Sequence, residues 1–122
     1  MSNSQVPIEG CSPSARIREP LSADASVELA AVFKALSDPV RLRLLSSIAS
    51  RAGQEACVCD LSEGIALSQP TISHHLKVLR GAGLLTSERR ASWVYYRVVP
   101  EVLRRLSDVL LTESGAAAEM NA

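Results

Sequence analysis

Apolar residues recur at helical spacing in the first half of the chain. One stripe runs through residues 22–36 and a second through residues 40–48, with polar residues between the apolar ones. Asp38 and Pro39 separate the stripes, and Asp followed by Pro is typical of a helix N-cap with proline at the first helical position. The pattern therefore predicts two helices, the second of which ends near Gly53.

The middle of the chain predicts two shorter helices joined by a tight turn. Residues 56–65 form a short helical candidate that Gly64 limits. Ser68 is placed to cap the next helix, which ends at Gly81 or Gly83, because glycine readily adopts the left-handed conformation that often terminates helices.

Strand-like alternation replaces helical spacing in the last third. Residues 84–89 and 93–99 alternate around a polar turn at residues 90–92, which predicts a β-hairpin. Pro100 opens a last helix with an apolar stripe, and the pattern is lost from Glu113. The predicted fold is mainly α with a small β-hairpin, in the order ααααββα of a winged helix-turn-helix.

The chain has room for one domain, since it has 122 residues of which 47% are hydrophobic. We expect residues 22–112 to form a winged-helix DNA-binding and dimerisation domain, residues 1–21 a flexible arm and residues 113–122 a disordered tail. The apolar stripe of the last helix exceeds what a small domain covers, which predicts a homodimer formed through the first and last helices. Neither a membrane-spanning run nor a secretory signal is recognisable, so we expect a cytoplasmic protein with no membrane partner.

Charge is distributed unevenly along a chain whose formal net charge is zero. Residues 66–105 carry seven basic side chains against two acidic ones. A locally basic segment can bind phosphate even when the whole chain is neutral, so double-stranded DNA stays a possible partner.

The helix after Ser68 has one apolar and one polar face. With Ile72, Leu76 and Leu79 turned to the core, the opposite face is polar, and the first turn is where a recognition helix meets base edges. Arginines at the hairpin are placed to contact phosphates as a wing. The candidate DNA-binding residues are Ser68, Gln69, Thr71, Ser73, His74, Lys77, Arg89 and Arg90, whereas His75 is expected to be a half-buried structural residue.

Two strings and a short box resemble the ArsR-type (ArsR/SmtB) winged-helix metalloregulatory repressors of bacteria. The strings are residues 33–45, FKALSDPVRLRLL, and 68–80, SQPTISHHLKVLR, and the box CVCDL at 57–61 resembles the family's thiolate metal site. The resemblance covers about residues 24–110. It implies a dimeric repressor of a detoxification operon that binds an inverted-repeat operator and leaves it when metal binds.

The sequence departs from the family pattern in two places. Arsenic-sensing members often carry a third cysteine three residues after the second, but Ser62 occupies that position here. Members that bind zinc use histidine on the last helix, and residues 100–122 contain none. The resemblance therefore implies an arsenic-responsive repressor whose box supplies two thiolates, and it does not extend to the zinc site.

Three cysteines are the candidate metal ligands: Cys11, Cys57 and Cys59, all expected to be reduced in the cytosol. Cys57 and Cys59 would lie about 200° apart on a regular helix, so both bind one ion only where the helix start is unwound. Cys11 in the arm is a candidate third ligand, from its own or the partner subunit. Three thiolates favour As(III) or Sb(III) as the inducer, since zinc and cadmium generally take four ligands, and no organic cofactor is expected.

Other functions compatible with the same cysteines remain open. A cadmium- or lead-responsive repressor would add Asp60 or water as a fourth ligand, and a repressor sensing thiol oxidation would use the same sulfurs. A thiol-redox enzyme is the alternative from another class, but the sequence supplies no base near either cysteine. We therefore do not expect an enzyme.

Overall fold

A computed structural model of the chain describes residues 13–116, and it contains five α-helices and three strands over that range. The elements are α1 (Ala23–Leu36), α2 (Pro39–Ala49), β1 (Glu55–Cys57), α3 (Val58–Ser62), α4 (Gln69–Gly81), β2 (Leu85–Arg90), β3 (Trp93–Val98) and α5 (Pro100–Ser114), with a short 3-10 turn at Ala52–Gln54. The predicted class, mainly helical with a small hairpin, is confirmed.

The first two helices begin where side-chain caps predict. Ser22 Oγ accepts a hydrogen bond from the Ala25 backbone N–H at 3.1 Å. Asp38 Oδ1 accepts from the backbone N–H groups of Val40 and Arg41 at 2.8 and 3.1 Å. These bonds satisfy N–H groups that have no partner inside the helix, so α1 and α2 start at fixed positions.

Strand β1 is a departure from the predicted order. Residues 56–65 were predicted as a short helix, but Glu55–Cys57 is extended and the helix is confined to Val58–Ser62. β1 pairs antiparallel with β3, Glu55 lying opposite Arg97. The hairpin is therefore part of a three-stranded sheet in the order β1-β3-β2.

The core lies between the helices and the inner face of this sheet. Ile72, Leu76 and Leu79 are fully buried, which confirms the apolar face predicted for α4. Their main buried partners are Leu44, Ile48, Leu61, Leu84, Leu85, Tyr96 and Val98. This packing leaves the polar face of α4 in solvent. No helix within residues 13–116 combines the length and apolar character needed to cross a membrane.

The segment before α1 contacts the end of α5. Arg18 Nη2 lies 2.9 Å from Glu113 Oε1 and 3.5 Å from the Thr112 carbonyl oxygen. α5 continues to Ser114 and ends at Gly115, whose φ of 78° is the left-handed conformation common after helices. Cys11 lies outside the described residues.

Candidate nucleic-acid interface and thiolate centre

The hydroxyl groups of Ser68 and Thr71 fix the start of α4. Ser68 Oγ accepts from the Thr71 backbone N–H at 3.3 Å and donates to Thr71 Oγ1 at 2.9 Å. Ser68 is thus occupied as the N-cap, which fixes the helix start, while Gln69 is exposed beside it. Among the predicted contacts in this first turn, Gln69 is the side chain most available to a base edge.

The predicted residues farther along α4 share its outward face. His74 and Lys77 are exposed and Ser73 is half-buried. All three project away from the buried apolar face of the helix, as the spacing predicts.

A groove of about 450 Å³ separates α4 from the sheet. Three cations line it, namely Lys77, Arg80 and Arg89, and its lining includes no acidic side chain. The remaining lining residues are Val58, Ser73, Ser87, Val94 and Tyr96. Such a groove attracts phosphate, since no acidic side chain of residues 13–116 lines it beside the three positive charges.

Arg80 was not among the predicted DNA contacts. Its Nη1 donates to Ser87 Oγ on β2 at 2.9 Å, which holds the guanidinium between helix and wing. The sequence carried a signal for it, because Arg80 follows Lys77 by three residues and therefore shares its side of the helix.

Arg90, which the sequence predicts to contact phosphate, does not line this groove. Its guanidinium donates to both carboxylate oxygens of Glu55, each at 2.9 Å, and to Glu88 at 2.8 Å. It also lies 4.5 Å from the centroid of the Tyr95 ring. Because neighbouring residues of a strand point to opposite faces, Arg89 lines the groove while Arg90 lies on the outer face of the sheet.

This outer-face cluster is strongly polarised. Hydrogen bonds from Arg90 and then Arg97 lower the pKa of Glu55 to about 2. The pKa of Arg90 is raised above its usual value, chiefly by the hydrogen bond to Glu55. The cluster therefore stays ionised at neutral pH, which leaves the Arg90 guanidinium occupied.

His75 is half-buried, as predicted, and lies on the side of α4 that contacts α2. Its Nδ1 is 3.3 Å from Arg41 Nη1, and Arg41 Nε donates to the Ala35 carbonyl oxygen at 2.6 Å. The backbone N–H of Arg41 is the main cause of a lowered pKa at Asp38. These contacts join α2 to α4 and give His75 a structural setting.

The two box cysteines lie at the junction between β1 and α3. Cys57 has extended backbone angles, φ −88° and ψ 163°, and forms the N-cap of α3. Its Sγ accepts from the Asp60 backbone N–H at 3.4 Å, and Asp60 Oδ2 accepts from the Cys57 backbone N–H at 3.3 Å. Cys59 is the second residue of the helix.

The structure joins the Cys57 and Cys59 sulfurs in a disulfide, whereas the sequence led us to expect reduced thiols. The two Cα atoms are 5.3 Å apart, and Cys57, which is extended and precedes the helix, turns its sulfur towards that of Cys59. The helix start therefore needs no unwinding to bring the sulfurs together. With the Asp60 carboxylate, the ligand atoms lie within 4.8 Å of one another. Once reduced, this donor set fits a soft, thiophilic ion.

Comparison with known proteins identifies the family. Residues 38–87 match the family described as "Bacterial regulatory protein, arsR family". A transcriptional repressor SmtB homologue of Synechocystis is 38% identical over 96 residues, which cover 75% of this chain and 70% of that protein. The chain belongs to the ArsR family.

Other ArsR-family proteins resemble it over different lengths. An arsenic resistance transcriptional regulator of Pseudomonas putida is 54% identical over 71 residues, which are 58% of this chain. The match spans about half (54%) of that relative's length. The crystal structure of the AntR antimony-specific transcriptional repressor superposes with a TM-score of 0.63 at 32% identity, covering 89% of this chain and 99% of that one.

A homodimeric winged helix-turn-helix DNA-binding domain from Mycobacterium bovis, a possible ArsR-family regulator, has a TM-score of 0.60 at 25% identity. The superposition covers 80% of this chain and 91% of that domain. The predicted winged helix-turn-helix fold is thus confirmed.

Proposed function

We propose that this ArsR-family chain is a dimeric transcriptional repressor whose hold on operator DNA is released when As(III) or Sb(III) binds its cysteine thiolates. The observation that carries the proposal is the placement of Val58. This residue lies between Cys57 and Cys59, packs against the core and lines the cationic groove in front of α4. An ion on the two sulfurs therefore acts one residue away from the surface that would face DNA.

The DNA-binding part of the proposal rests on the groove and the start of α4. Lys77, Arg80 and Arg89 would contact phosphates and fix the position of the protein, while Gln69 and Ser73 would contact base edges. We add Arg80 to the predicted set and propose that Arg90 does not contact DNA, because its guanidinium is paired with Glu55.

The metalloid part rests on the number and type of ligands. Cys57 and Cys59 supply two sulfurs on one side of the β1–α3 junction, and we retain Cys11 as the predicted third ligand. Trivalent arsenic and antimony are satisfied by three sulfurs in a pyramid, which this chain can supply. The named specificities of the Pseudomonas regulator and of AntR support the same choice.

The dimer would be formed by α1 and α5. Val27 on α1 is 71% exposed and Leu110 on α5 is 56% exposed, so apolar surface on both helices is left uncovered within one chain. The homodimeric Mycobacterium domain supports a symmetric pair. Two recognition helices about 34 Å apart would then require an inverted-repeat operator.

The test measures release of operator DNA from the reduced protein by arsenite, antimonite, cadmium and lead. Cys57→Ser and Cys59→Ser should bind DNA normally and lose release, while Cys11→Ser should need more arsenite because two sulfurs hold the ion less well than three. X-ray absorption should count three sulfur neighbours around arsenic. A full arsenite response in Cys57→Ser, or a stronger four-coordinate response to cadmium, would contradict the assignment.

The disulfide between Cys57 and Cys59 favours one second candidate, a repressor released by thiol oxidation. Two thiols would pass two electrons and two protons to a peroxide, giving the disulfide and, from hydrogen peroxide, two waters. DNA release by peroxide without metalloid, with a mass loss of two hydrogens and reversal by dithiothreitol, would support this candidate. Release by arsenite alone would support the first.

A further inference from the structure

The Glu55 carboxylate ties together all three strands of the sheet. It accepts two hydrogen bonds from Arg90 on β2 and one from Arg97 on β3, all at 2.9 Å. β3 lies between β1 and β2, so the bonds to Arg90 span the central strand. Within residues 13–116 they are the only side-chain hydrogen bonds that join β1 to β2.

The same short strand carries the first sulfur ligand. Glu55 and Cys57 are the first and last residues of β1 and share a face, because side chains alternate along a strand. Cys57 lies opposite Tyr95 in the sheet register, and the Arg90 guanidinium lies over the ring of that tyrosine. A displacement of Cys57 along or across the sheet therefore acts on the surroundings of Arg90.

The hydrogen bonds of Glu55 to Arg90 connect β1 to the wing, which is the β2–β3 hairpin. Arg90 is the last residue of β2, next to the hairpin turn, and its neighbour Arg89 lines the cationic groove. Because adjacent residues of one strand move together, the position of Arg90 helps to determine the position of Arg89 in the groove.

Resting on the function proposed above, we propose that Glu55 is a positioning residue that transmits the state of the Cys57–Cys59 sulfurs to the DNA-facing wing through Arg90 and Arg97. It binds neither the ion nor DNA. An ion on the sulfurs competes for Cys57 Sγ, which otherwise accepts from the Asp60 backbone N–H. The three-residue strand then shifts, and the two-point arginine–carboxylate bond carries the shift to β2.

The chain offers a matched control at the same arginine. Glu88 also pairs with Arg90, at 2.8 Å, but it lies on β2 and forms no bond to β1. Glu88→Gln removes a charge from the cluster and leaves the link between strands, whereas Glu55→Gln and Glu55→Ala weaken or remove the link. Because the fold rests chiefly on the buried apolar core, these variants should stay folded, which circular dichroism checks.

The experiment uses the reduced full-length protein and measures operator affinity by fluorescence anisotropy with and without arsenite. It also measures the arsenite affinity of the DNA-free protein. Arsenite should weaken operator binding about 10-fold or more in the parent and in Glu88→Gln, within the usual range of allosteric coupling. In the Glu55 variants the ratio of operator affinities without and with arsenite should fall below about 3-fold. Arsenite alone and operator DNA alone should each bind within about 3-fold of the parent.

A parent-like ratio in both Glu55 variants, or an equal loss of the ratio in Glu88→Gln, would overturn this inference and leave the proposed function standing. A ratio near one in the parent itself would overturn the proposed function, and the role of Glu55 with it.

Discussion

Glu55 has the most strongly shifted carboxyl group among the described residues. Its pKa is about 2 in the folded protein, against a usual value of 4.5, because Arg90 and Arg97 donate hydrogen bonds to the ionised form. A lowered folded-state pKa means that the ionised group stabilises the fold above pH 4.5 and that this contribution is lost as the pH falls towards 2.

The free energy of unfolding should therefore fall between pH 4.5 and pH 2 more steeply in the parent than in Glu55→Gln, whose side chain cannot be protonated. Urea titrations at a series of pH values measure the difference. Glu63→Gln is the control, because Glu63 is exposed and forms no ion pair in the part of the chain described here. Parallel pH profiles for parent and Glu55→Gln would show that the cluster does not form in solution.

Arg89 and Arg90 are neighbours on opposite faces of the sheet, so substituting each of them should affect DNA binding differently. Arg89→Gln should weaken binding to all DNA sequences and make the salt dependence shallower by about one unit, since one phosphate contact is lost. Arg80→Gln should act in the same way. Arg90→Gln should leave the salt slope unchanged, because Glu55 already occupies its guanidinium. Filter-binding titrations over a range of salt concentrations measure all three, and an equal slope change for Arg89→Gln and Arg90→Gln would return Arg90 to the interface.

For individual residues, the sequence predicted which side chains belong to the candidate sites better than it predicted which residues they contact. It grouped Arg89 with Arg90 because both flank the hairpin turn, but which face of the sheet meets α4 depends on the register of β2 with β3. It also named Cys57 and Cys59 as a pair. Their close approach follows from the extended conformation of Cys57, which pairing with Tyr95 imposes from a distant part of the chain.

Among the elements, the hairpin turn holds a strained residue. Ala91 has a φ of 55°, a conformation that costs residues with a Cβ about 1 to 2 kcal/mol and costs glycine little. Ala91→Gly should raise the free energy of unfolding by up to about 1 kcal/mol after the entropy lost by glycine is counted.

The control is Ala66→Gly at an exposed loop position without positive φ. It should lower the free energy of unfolding by about 0.4 to 1 kcal/mol, because the unfolded chain gains freedom. Thermal or urea unfolding measures both variants. Destabilisation by Ala91→Gly as large as that by Ala66→Gly would contradict the strained turn.

The helices could be predicted from spacing and caps, whereas β1 could not. Asp38, Ser68 and Pro100 mark helix starts by local chemistry that any short window shows. β1 has three residues, too few for an alternating pattern, and it is defined by β3 more than thirty residues later. The sequence therefore placed the box cysteines in one helix, and the structure divides them between a strand and a helix.

For the whole molecule, the two candidate sites meet at one short segment. The sulfurs of Cys57 and Cys59 lie at the β1–α3 junction, while Val58 between them lines the groove of Lys77 and Arg89. The proposed ion binding and DNA binding would therefore share a few residues of backbone within a single chain. By linkage, operator DNA should weaken arsenite binding by the same factor by which arsenite weakens DNA binding.

The proposed dimer would form through surface outside this segment. Val27 and Leu110 expose apolar side chains on the two helices that we expect to pair protomers. Leu110→Asp should dissociate the dimer, because a charge buried in an apolar interface without a partner is costly. Operator affinity should then fall by roughly 100-fold or more, since a monomer holds one half-site where the dimer holds two linked ones.

Leu42 supplies the control, because it is 51% exposed, much like Leu110, but lies on α2. Leu42→Asp should leave the dimer intact. Analytical ultracentrifugation at micromolar concentration distinguishes the two variants, and anisotropy with full and half operators reads the effect on DNA. Dissociation by Leu42→Asp with an intact Leu110→Asp dimer would move the interface to α2. Recognition helices paired through that surface would need a different half-site spacing, which the operator titration would reveal independently.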